Sequence, residues 1–494
     1  MKKAYSAAEQ DVLQSQSPQS RFGEDSLLGV DYYQILDNSL DLARNSAVTR
    51  SIIQVLEDYI AGNGLTPSLG DKTALEVWTK WANGSVNLAG TKSFNQVFRD
   101  IVSNIASSGD VLVTTPIDKY ARPDEIAMRL ELTSGSRIRT PQEFTNKKDD
   151  SGRIVKFGVA FSDGVEVGYY IQRQPDVSVP SFERARKKNF TYISKVDSKT
   201  GRLNAFLIRR PTGMPAEQTR GLPIITSVVQ DIKDLDDLML SAINGSRNKA
   251  LLSVILTGND SKGIYGGAGA VDATGALIEA NDDNGEAQII GSLPDGAIMT
   301  APEGTAAQVI NSSGEIDRDA LMMRSMRLIA AGVGVPYEIL FKDFSATNFS
   351  SGKLALDSFF RLSEFWTIEL SAFFASLYRQ IQVEAHLKGF GLEEPTFLNT
   401  SVQFIGSQNF VDADPGKNSK AETERMKNNL TTATREAARR GVLYSEILLE
   451  KSQEYKTAQE ISESSGVPIG FLLNQGETET IVTESEINIE EEGE

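Results

Sequence analysis

The sequence of 494 residues has no cysteine and one histidine, and these two shortages exclude several kinds of site. Disulfide frameworks and thiolate metal centres both need cysteine. A metal site with two histidine ligands is excluded, and a Ser-His-Asp triad would have to use His386. No Gly-x-Ser-x-Gly motif occurs, and His386 lies near the end of a predicted helix beside Lys388. We therefore interpret His386 as a surface residue.

Long apolar runs and an excess of positive charge are also lacking. No run of about 18 apolar residues occurs, so no membrane-spanning helix is predicted. The N-terminal residues lack the apolar core of an export signal, which favours the cytoplasm or an assembly built there. The 50 basic and 67 acidic residues give a net charge of −17. That balance argues against a protein that coats nucleic acid electrostatically.

Motifs that bind nucleotides or metals fail on their spacing. A P-loop needs Ser or Thr after its Gly-Lys pair, but Leu354 follows Gly352-Lys353 and Asn418 follows Gly416-Lys417. The Gly267–Gly269 segment lacks the third glycine of a dinucleotide fingerprint. The Asn281–Gly285 segment lacks the first ligand of a calcium loop. We predict no catalytic residue, no metal and no cofactor.

Two segments concentrate charge of one sign. Residues 477–494 contain eight glutamates and no Lys or Arg, which accounts for about half of the excess negative charge. Residues 184–188 contain Arg184, Arg186, Lys187 and Lys188. We interpret both as solvated segments. The alternatives are a docking tail for a basic partner and a contact for phosphate or an acidic partner.

Hydrophobic periodicity divides the first half of the chain into an arm and an α+β domain. Residues 1–28 are rich in Ser and Gln, which predicts a mobile arm. A helix is predicted from Val48 to Ile60, ended by Gly62–Gly64. Further helices are predicted around Trp78 and from Phe94 to Ala106. The predicted strands are 110–115, 126–132, 154–161 and 166–172. Helices that precede a mostly antiparallel sheet indicate an α+β domain over residues 29–215.

The second half is mainly helical. Pro223 begins an amphipathic stretch to about Ala250, whose predicted apolar face contains Ile225, Val228, Val229, Ile232, Leu235 and Met239. A small β-rich insert follows over 251–312, and then a helix from about Asp317 to Gly332. An aromatic-rich helix is predicted from Lys353 to Leu387, where core packing is the favoured explanation of the aromatic residues. Helices are also predicted over 415–441 and 445–465.

The segment after the helix predicted from Asp317 to Gly332 carries a long and specific sequence motif. It reads Gly-Val-Gly-Val-Pro-Tyr-Glu-Ile-Leu over 332–340 and continues through Asp343 to Ser351. This resembles the signature of tailed-phage portal proteins of the lambda type. The matching signature residues are Gly334, Val335, Pro336, Tyr337, Glu338, Asn348, Ser350 and Ser351. Similar matches at Trp78–Trp81, Arg137–Pro141, Arg209–Pro223 and Asp414–Lys417 extend the resemblance over roughly residues 40–465.

The resemblance implies a portal fold, which is α+β with an α/β wing, a helical stem, a small β-rich clip and a helical crown. Its parts would be an arm (1–28), the wing (29–222), stem helices (223–250 and 313–339), the clip (251–312), a tunnel loop (340–352), a long wing helix with the following segment (353–412), the crown (413–465) and an acidic tail (466–494). Portal subunits form homo-oligomeric rings, usually of twelve copies, at one capsid vertex.

The function implied by the resemblance is that of a channel and a docking platform. Double-stranded DNA would pass through the ring during packaging and ejection without sequence specificity. The partners would be the large terminase, the head–tail adaptor, and the major capsid protein or scaffold, with no membrane. The protein would be assembled in the bacterial cytoplasm, reside in the virion and not be an enzyme. The alternatives are another ring-forming connector and a soluble α+β enzyme.

Specific residues follow from this interpretation. The predicted DNA contacts in the tunnel loop are Phe341, Lys342, Asp343, Phe344, Ser345, Asn348 and Phe349, and Asn348 and Gly352 could take positive φ. The predicted channel lining is Asp231, Asp234, Asp236 and Asp237, because a conduit must not bind phosphate strongly. The apolar sides of helix 223–250 and of the aromatic helix Phe359 to Phe374 would supply the two contact faces of a ring.

Overall fold

The structure is a computed structural model. It describes residues 24–62, 64–67, 72–145, 147–173, 184–211, 215, 217–251, 255–256, 270–271, 277–278, 299–300, 318–345, 347–390, 402, 404–406, 415–440 and 442–473. Most of the predicted arm, clip and acidic tail therefore lies outside the described residues. Within these ranges, no helix is both long enough and apolar enough to cross a membrane.

Helices and strands alternate along the described residues, and the predicted mixed class is confirmed. The α-helices are α1 (Glu24–Asn45), α2 (Ala47–Leu56), α3 (Lys72–Asn83), α4 (Phe94–Ser108), α5 (Val229–Leu251), α6 (Arg318–Val333), α7 (Tyr337–Phe341), α8 (Phe349–Leu387), α9 (Pro415–Lys427), α10 (Ala433–Arg439), α11 (Tyr444–Ser465) and α12 (Ile469–Leu472). The strands are β1 (Leu65–Pro67), β2 (Asp110–Thr114), β3 (Glu131–Ser134), β4 (Ile154–Lys156), β5 (Val159–Ser162), β6 (Val165–Gln172), β7 (Phe190–Ser194), β8 (Ala205–Arg209), β9 (Ile255–Leu256), β10 (Ala270–Val271), β11 (Leu277–Ile278), β12 (Met299–Thr300) and β13 (Phe404–Gly406).

The chain folds as two compact units. The first contains Met1–Glu57, Asp100–Thr115 and Glu131–Leu362, and the second contains the rest. In the first unit, β2 pairs antiparallel with β3 on one side and β8 on the other. Strands β4 to β7 form an antiparallel meander. Inward-facing strand residues and Ile138, which follows a 3₁₀ turn after β3, form a shared core: Leu112, Ile138, Val159, Tyr169, Ile171, Ala205 and Leu207.

Two of the predicted strands have different bounds. The predicted strand 154–161 is a hairpin, because Phe157 and Gly158 take φ values of 49° and 84° and reverse the chain between β4 and β5. The predicted strand 126–132 contributes a regular strand only from Glu131. Before that residue, Leu130 and Met128 form isolated bridges. Apolar composition indicated extended chain correctly in both places, but it did not reveal where the backbone leaves the ladder.

The helix predicted from Pro223 begins with a different geometry. Residues Ile224–Ser227 form a 3₁₀ turn, and the α-helix α5 starts at Val229. Val229, Ile232 and Leu235 are buried, as predicted. Met239, the last residue of the predicted apolar face, is 42% exposed. In the same unit α5 packs against α6.

An aromatic cluster forms the core of the second unit. Trp78 lies between Trp81, Phe94, Tyr378 and Phe404, with ring centroids 5.0–5.4 Å apart. The indole nitrogen of Trp81 donates a hydrogen bond to the Met128 carbonyl at 3.0 Å. Strand β1 pairs antiparallel with β13 beside this cluster. The Trp-x-x-Trp pair is therefore part of the core.

The predicted helix over 415–441 is two helices. Helix α9 ends at Lys427, Asn429 takes a φ of 57°, and α10 begins after Thr432. The Thr432 side chain accepts a hydrogen bond from the Arg435 amide and caps α10. The sequence signals for this break were Asn428-Asn429 followed by Thr431-Thr432. Helix α11 matches the prediction within one residue.

In the predicted clip, the structure describes four strands of two residues each. Strands β10 and β11 pair antiparallel, and β9 and β12 pair parallel. These pairs agree with the β-rich character predicted for 251–312. The Gly/Ala-rich remainder of that segment lies outside the described residues.

Candidate functional site

The signature segment begins by ending a helix. Gly334 takes a φ of 79° after the last residue of α6. Its amide donates to the Ala331 carbonyl at 3.2 Å, and the Val335 amide donates to the Ala330 carbonyl at 3.1 Å. This pair of bonds is a Schellman stop, and the burial of Val335 against the last turn completes it. Pro336 cannot continue the helix and instead begins α7.

Helix α7 is short and is fixed from both sides within the first unit. Ile339 and Leu340 are buried, and the Leu340 carbonyl accepts a hydrogen bond from the Ser51 hydroxyl of α2 at 2.8 Å. The guanidinium of Arg327 lies 5.6 Å from the centre of the Tyr337 ring. The signature phrase therefore encodes a helix stop, a turn and a packed helical turn. These roles explain its specificity without any chemistry.

The predicted tunnel loop is shorter than its predicted range of 340–352. Phe341 is the last residue of α7 and Phe349 is the first of α8, so the described non-helical residues between them are 342–345 and 347–348. Neither Asn348 nor Gly352 has positive φ, so that prediction is wrong. The residue of this segment with positive φ is Lys342, at 55°. Gly352 is already helical. Asn348 caps α8, with its Oδ1 accepting from the Ser351 amide at 2.9 Å.

Asp343 organises this loop. Its Oδ2 accepts a hydrogen bond from the Tyr337 hydroxyl at 2.8 Å, and its Oδ1 accepts from the amide and hydroxyl of Ser345 at 3.1 and 2.6 Å. The bonds from Ser345, followed by that from Tyr337, hold the pKa of Asp343 below its ordinary value. The Thr347 hydroxyl contacts Glu338 Oε1 at 3.4 Å. The loop is therefore tied to α7 by polar contacts along its length.

The loop exposes a small and mixed surface. Lys342, Phe344, Ser345 and Asn348 are exposed, whereas Phe341 and Asp343 are half-buried. The side chains of Phe349 and Ser350 lie outside the described residues. Lys342 is the single basic residue between 341 and 349. This surface can touch a phosphate backbone weakly, and it cannot hold one strongly.

The four aspartates predicted to line a channel lie on α5. Asp234, Asp236 and Asp237 are exposed, and Asp231 is half-buried. Burial, with a smaller contribution from the charge of Asp234, raises the pKa of Asp231. Gln230 donates a hydrogen bond to Asp234 Oδ1 at 2.9 Å. The predicted acidic face of this helix is thus a surface of the first unit, and its place in a channel stays a prediction.

A ring-contact face was predicted on the apolar side of helix 223–250, but Leu240 and Ile243 of α5 were not named in it. Leu240 is 57% exposed and Ile243 49% exposed, next to Met239. On α6, which packs against α5, Leu321 and Leu328 are 42% and 56% exposed. We call these five residues the stem apolar surface. The sequence signal was present in the helical spacing of residues 239, 240 and 243, but periodicity does not reveal which apolar face lacks a partner.

Several aromatic residues of α8 are buried. Phe359, Trp366 and Phe374 are at most 1% exposed. Core packing explains these three residues, and the ring face predicted on this helix stays a prediction. In the second unit, α8 still exposes Phe365 and Ile368, at 45% and 58%.

The largest polar cluster of the first unit is entirely buried. Arg220 and Asp110 are both 0% exposed and form a two-bonded ion pair, with Nε to Oδ2 at 2.6 Å and Nη2 to Oδ1 at 2.7 Å. The remaining guanidinium N–H groups donate to the carbonyls of Gly135, Ile138 and Phe157 at 2.7–2.8 Å. All five donors of the arginine are therefore satisfied.

The residues around Arg220 accommodate and stabilise this ion pair. Burial alone would lower the pKa of Arg220, but the Asp110 carboxylate outweighs it and raises the pKa. The Arg220 guanidinium carbon lies 5.1 Å from the centre of the buried Tyr32 ring. A Cβ at Gly135 would overlap Asp110 Oδ1, so the close approach there requires glycine. Sequence reasoning cited Arg220 only within the resemblance and did not find Asp110.

Comparison with known proteins identifies the family. A sequence model of the lambda family of phage portal proteins matches residues 13–366. The chain belongs to this family. The signature of 332–351 and the Arg220 step both lie within the matched residues.

Individual proteins are similar to this chain in sequence or in structure. The chain is 22% identical over 459 residues to the portal protein of Escherichia phage N15, which covers 84% of this chain and 82% of that protein. It is 23% identical over 348 residues to portal protein B of Escherichia phage lambda. That match covers 63% of this chain and 61% of the lambda protein. Among solved structures, a chain of the neck of an empty gene transfer agent particle matches with a TM-score of 0.44 and 13% identity, covering 82% of this chain and 94% of that one. A chain from the virion of a native gene transfer agent particle matches with a TM-score of 0.42 and 12% identity, covering 82% and 93%.

The basic run 184–188 and His386, which the sequence left without an assigned role, can now be placed in the fold. Lys187 forms an ion pair with Asp150. His386 is half-buried in the last turn of α8. Among the residues that the structure describes, no group of three or more His, Asp or Glu is placed to hold a metal ion.

Proposed function

We propose that this portal protein forms a closed ring of twelve identical subunits joined head to tail. The observation that carries this proposal is the stem apolar surface, where two packed helices leave Leu240, Ile243 and Leu328 exposed. Large apolar side chains left exposed on two helices that pack together indicate a partner, and the family indicates another copy. A head-to-tail ring needs a second, different face, for which Phe365 and Ile368 of α8 are candidates.

The ring is proposed as the channel for double-stranded DNA during packaging and ejection. Asp234, Asp236 and Asp237 of α5 would face the channel, where negative charge prevents tight phosphate binding and allows the duplex to slide without sequence specificity. The exposed residues of 342–348 would touch the duplex. The chain would have a structural role and catalyse no reaction.

The proposed partners follow from this role. The ring would reside at one capsid vertex of the virion after assembly in the bacterial cytoplasm. It would dock the large terminase and later the head–tail adaptor, and it would contact the major capsid protein or scaffold. The terminase would supply the ATPase motor.

The ring is tested by mass photometry with negative-stain imaging of the purified chain. Twelve copies of 53.9 kDa correspond to about 650 kDa, seen as an annulus with a central hole. A ring of a neighbouring number would still support the portal role. A stable monomer or dimer under all conditions would contradict it and would favour a small-oligomer enzyme.

The contact between the loop and DNA needs its own variant. Replacing 342–348 with a Gly/Ser linker of equal length keeps α7 and α8 and removes the exposed side chains together with the Asp343 contacts. We expect rings of unchanged mass, with reduced packaging or poor retention of DNA in an in vitro packaging assay. Lys342→Ala is the matched mild variant and should have a smaller effect. Normal packaging and retention by linker-variant rings would exclude the proposed contact.

A further inference from the structure

A basic surface lies on the first unit, apart from the proposed channel and loop. Its described residues are 142–145, 147–150 and 184–188, and the two segments lie against each other. The Gln142 amide donates to the Ala185 carbonyl at 2.9 Å, and the Lys187 amide donates to Glu143 Oε2 at 2.8 Å. The Lys187 ammonium bonds the Asp150 carboxylate and lies 5.5 Å from the centre of the Phe144 ring. These contacts join two charged segments into one surface.

Four cations of this surface have no partner among the described residues. Lys147, Lys148, Arg186 and Lys188 are exposed, and none forms an ion pair or side-chain hydrogen bond with a residue that the structure describes. The Asp150 carboxylate is engaged by Lys187. Counted in full, the two segments hold six cations (Lys147, Lys148, Arg184, Arg186, Lys187 and Lys188) and three carboxylates (Glu143, Asp149 and Asp150), a formal charge of +3 on a chain of net charge −17.

The carboxylate of Asp149 is not available to neutralise these cations. It is buried, and it accepts hydrogen bonds from Arg153 Nε at 2.7 Å and from the Tyr170 hydroxyl at 2.8 Å. Burial alone would raise its pKa, but these bonds and those from the amides of Ser151 and Arg153 outweigh burial and lower the pKa. The fold therefore uses its nearest buried carboxylate elsewhere and leaves the surface positive.

We propose that this basic surface binds the acidic segment 477–494 of another copy of the polypeptide, a proposal that rests on the proposed ring. The argument is charge complementarity within one sequence, since that segment holds eight glutamates and no cation. Each exposed pair contributes little, but several together on a tethered segment give appreciable occupancy, because tethering supplies an effective concentration on the order of millimolar. The segment would cover the surface and reduce adventitious DNA binding outside the channel.

The test measures binding of a fluorescent peptide of sequence 477–494 by anisotropy at about 50 mM salt. The receptor is the full chain with glutamine at 477, 479, 484, 486, 490, 491, 492 and 494, so that no tethered acidic segment competes. We expect saturable binding that weakens steeply as salt rises to about 300 mM. The unmodified protein should bind the peptide at least tenfold more weakly, because the acidic segment of another copy in the ring occupies the surface.

Paired charge reversals locate the site. Arg186→Glu with Lys188→Glu, made in the glutamine-substituted chain, should weaken peptide binding at least tenfold, and Lys147→Glu with Lys148→Glu should act similarly. The control is Lys119→Glu with Lys199→Glu, two exposed lysines outside the surface, which should change affinity less than twofold. Far-UV circular dichroism and ring mass establish that each variant folds and assembles, so a failed ring is distinguished from a failed surface.

A labelled DNA duplex of 30 base pairs supplies the competing outcome. The proposal predicts that the duplex binds the glutamine-substituted chain better than the unmodified chain and is displaced by the peptide. Equal peptide binding by the reversal and control pairs would overturn the proposal. It would also be overturned if the duplex bound both chains equally through Arg186 and Lys188 without displacement by peptide, since the surface would then be a nucleic-acid contact.

Discussion

Two regions of the first unit invert the usual distribution of polarity. Around Arg220 the chain buries a complete ion pair, while at the far half of α5 it exposes Leu240 and Ile243. The buried charges are fully satisfied from within one subunit, by Asp110 and three carbonyls. The exposed apolar side chains have no such partner in the described residues. The first region contributes to the fold of the subunit, and the second is proposed to serve its assembly.

The difference has a physical basis. An ion pair in the interior is costly to desolvate, and it survives where every donor and acceptor is matched. Apolar surface left in water loses about 25 cal/mol for each Å² that another subunit could cover. A buried ion pair with all its hydrogen bonds made within the subunit therefore indicates a role in folding, whereas uncovered apolar side chains indicate a role in assembly. Substitutions can separate them by asking which change affects folding and which affects assembly.

The largest effect is expected from Arg220→Ala. The substitution leaves Asp110 buried without its partner and deprives the carbonyls of Gly135, Ile138 and Phe157 of their donor. We expect a loss of about 3–5 kcal/mol in the stability of the first unit, seen as a much lower first transition in thermal unfolding or as insoluble protein. Arg220→Lys should be intermediate, because lysine cannot reproduce the fork of two bonds.

Arg122→Ala is the matched control for that prediction. Arg122 forms an exposed ion pair with Glu125, so its loss should lower the unfolding midpoint far less than the loss of Arg220. Equal destabilisation by Arg122→Ala and Arg220→Ala would show that the buried pair has no special structural role.

The second prediction concerns the exposed apolar residues of α5. Leu240→Asp with Ile243→Asp places two charges on the stem apolar surface, and each interface should lose about 2–4 kcal/mol of apolar burial, multiplied around a ring. We expect mass photometry to show subunits near 54 kDa instead of rings near 650 kDa, with unchanged far-UV circular dichroism.

Asp237→Asn is the control for assembly, since it changes an exposed residue of the same helix and should leave rings intact. Rings of normal mass from the Leu240 and Ile243 double variant would remove the stem apolar surface from the assembly contact.

The smallest effect concerns a pair of intermediate burial. Arg209 Nη2 lies 2.8 Å from Glu166 Oε2, and the Glu166 side chain is 16% exposed. Burial alone would raise the pKa of Glu166, but the charge of Arg209 and the Tyr169 hydrogen bond hold it below its ordinary value. A depressed pKa adds stability above the unfolded pKa of about 4.3, and that stability is lost as the pH falls through the folded pKa.

Glu166→Gln should accordingly cost about 1 kcal/mol at neutral pH and reduce the change in unfolding midpoint between about pH 5 and pH 3. Parallel denaturation curves of the two proteins at both pH values check this. An unchanged pH dependence in the variant would assign the acid sensitivity to other carboxylates.

Local sequence determined much of the secondary structure and the identity of the family. The Gly-Val-Pro phrase stops α6 and starts α7 because glycine takes positive φ and proline lacks an amide hydrogen, and both effects act within a few residues. Helix α11 and the meander strand β6 followed from periodicity. The position of the loop after α7 was also predicted, although its helical ends and the left-handed Lys342 were not.

Only the tertiary structure decided which side chains meet. Arg220 and Asp110 are 110 residues apart, and nothing local links them. The Asp343 contacts with Tyr337 and Ser345 depend on how α7 turns into the loop. Periodicity marked α5 as amphipathic along its length, but burial ends after Leu235 and leaves Met239, Leu240 and Ile243 exposed. The physical reason is that a sequence specifies where apolar and polar groups lie along a helix, whereas the neighbours that cover or satisfy them are set by the packing of distant elements.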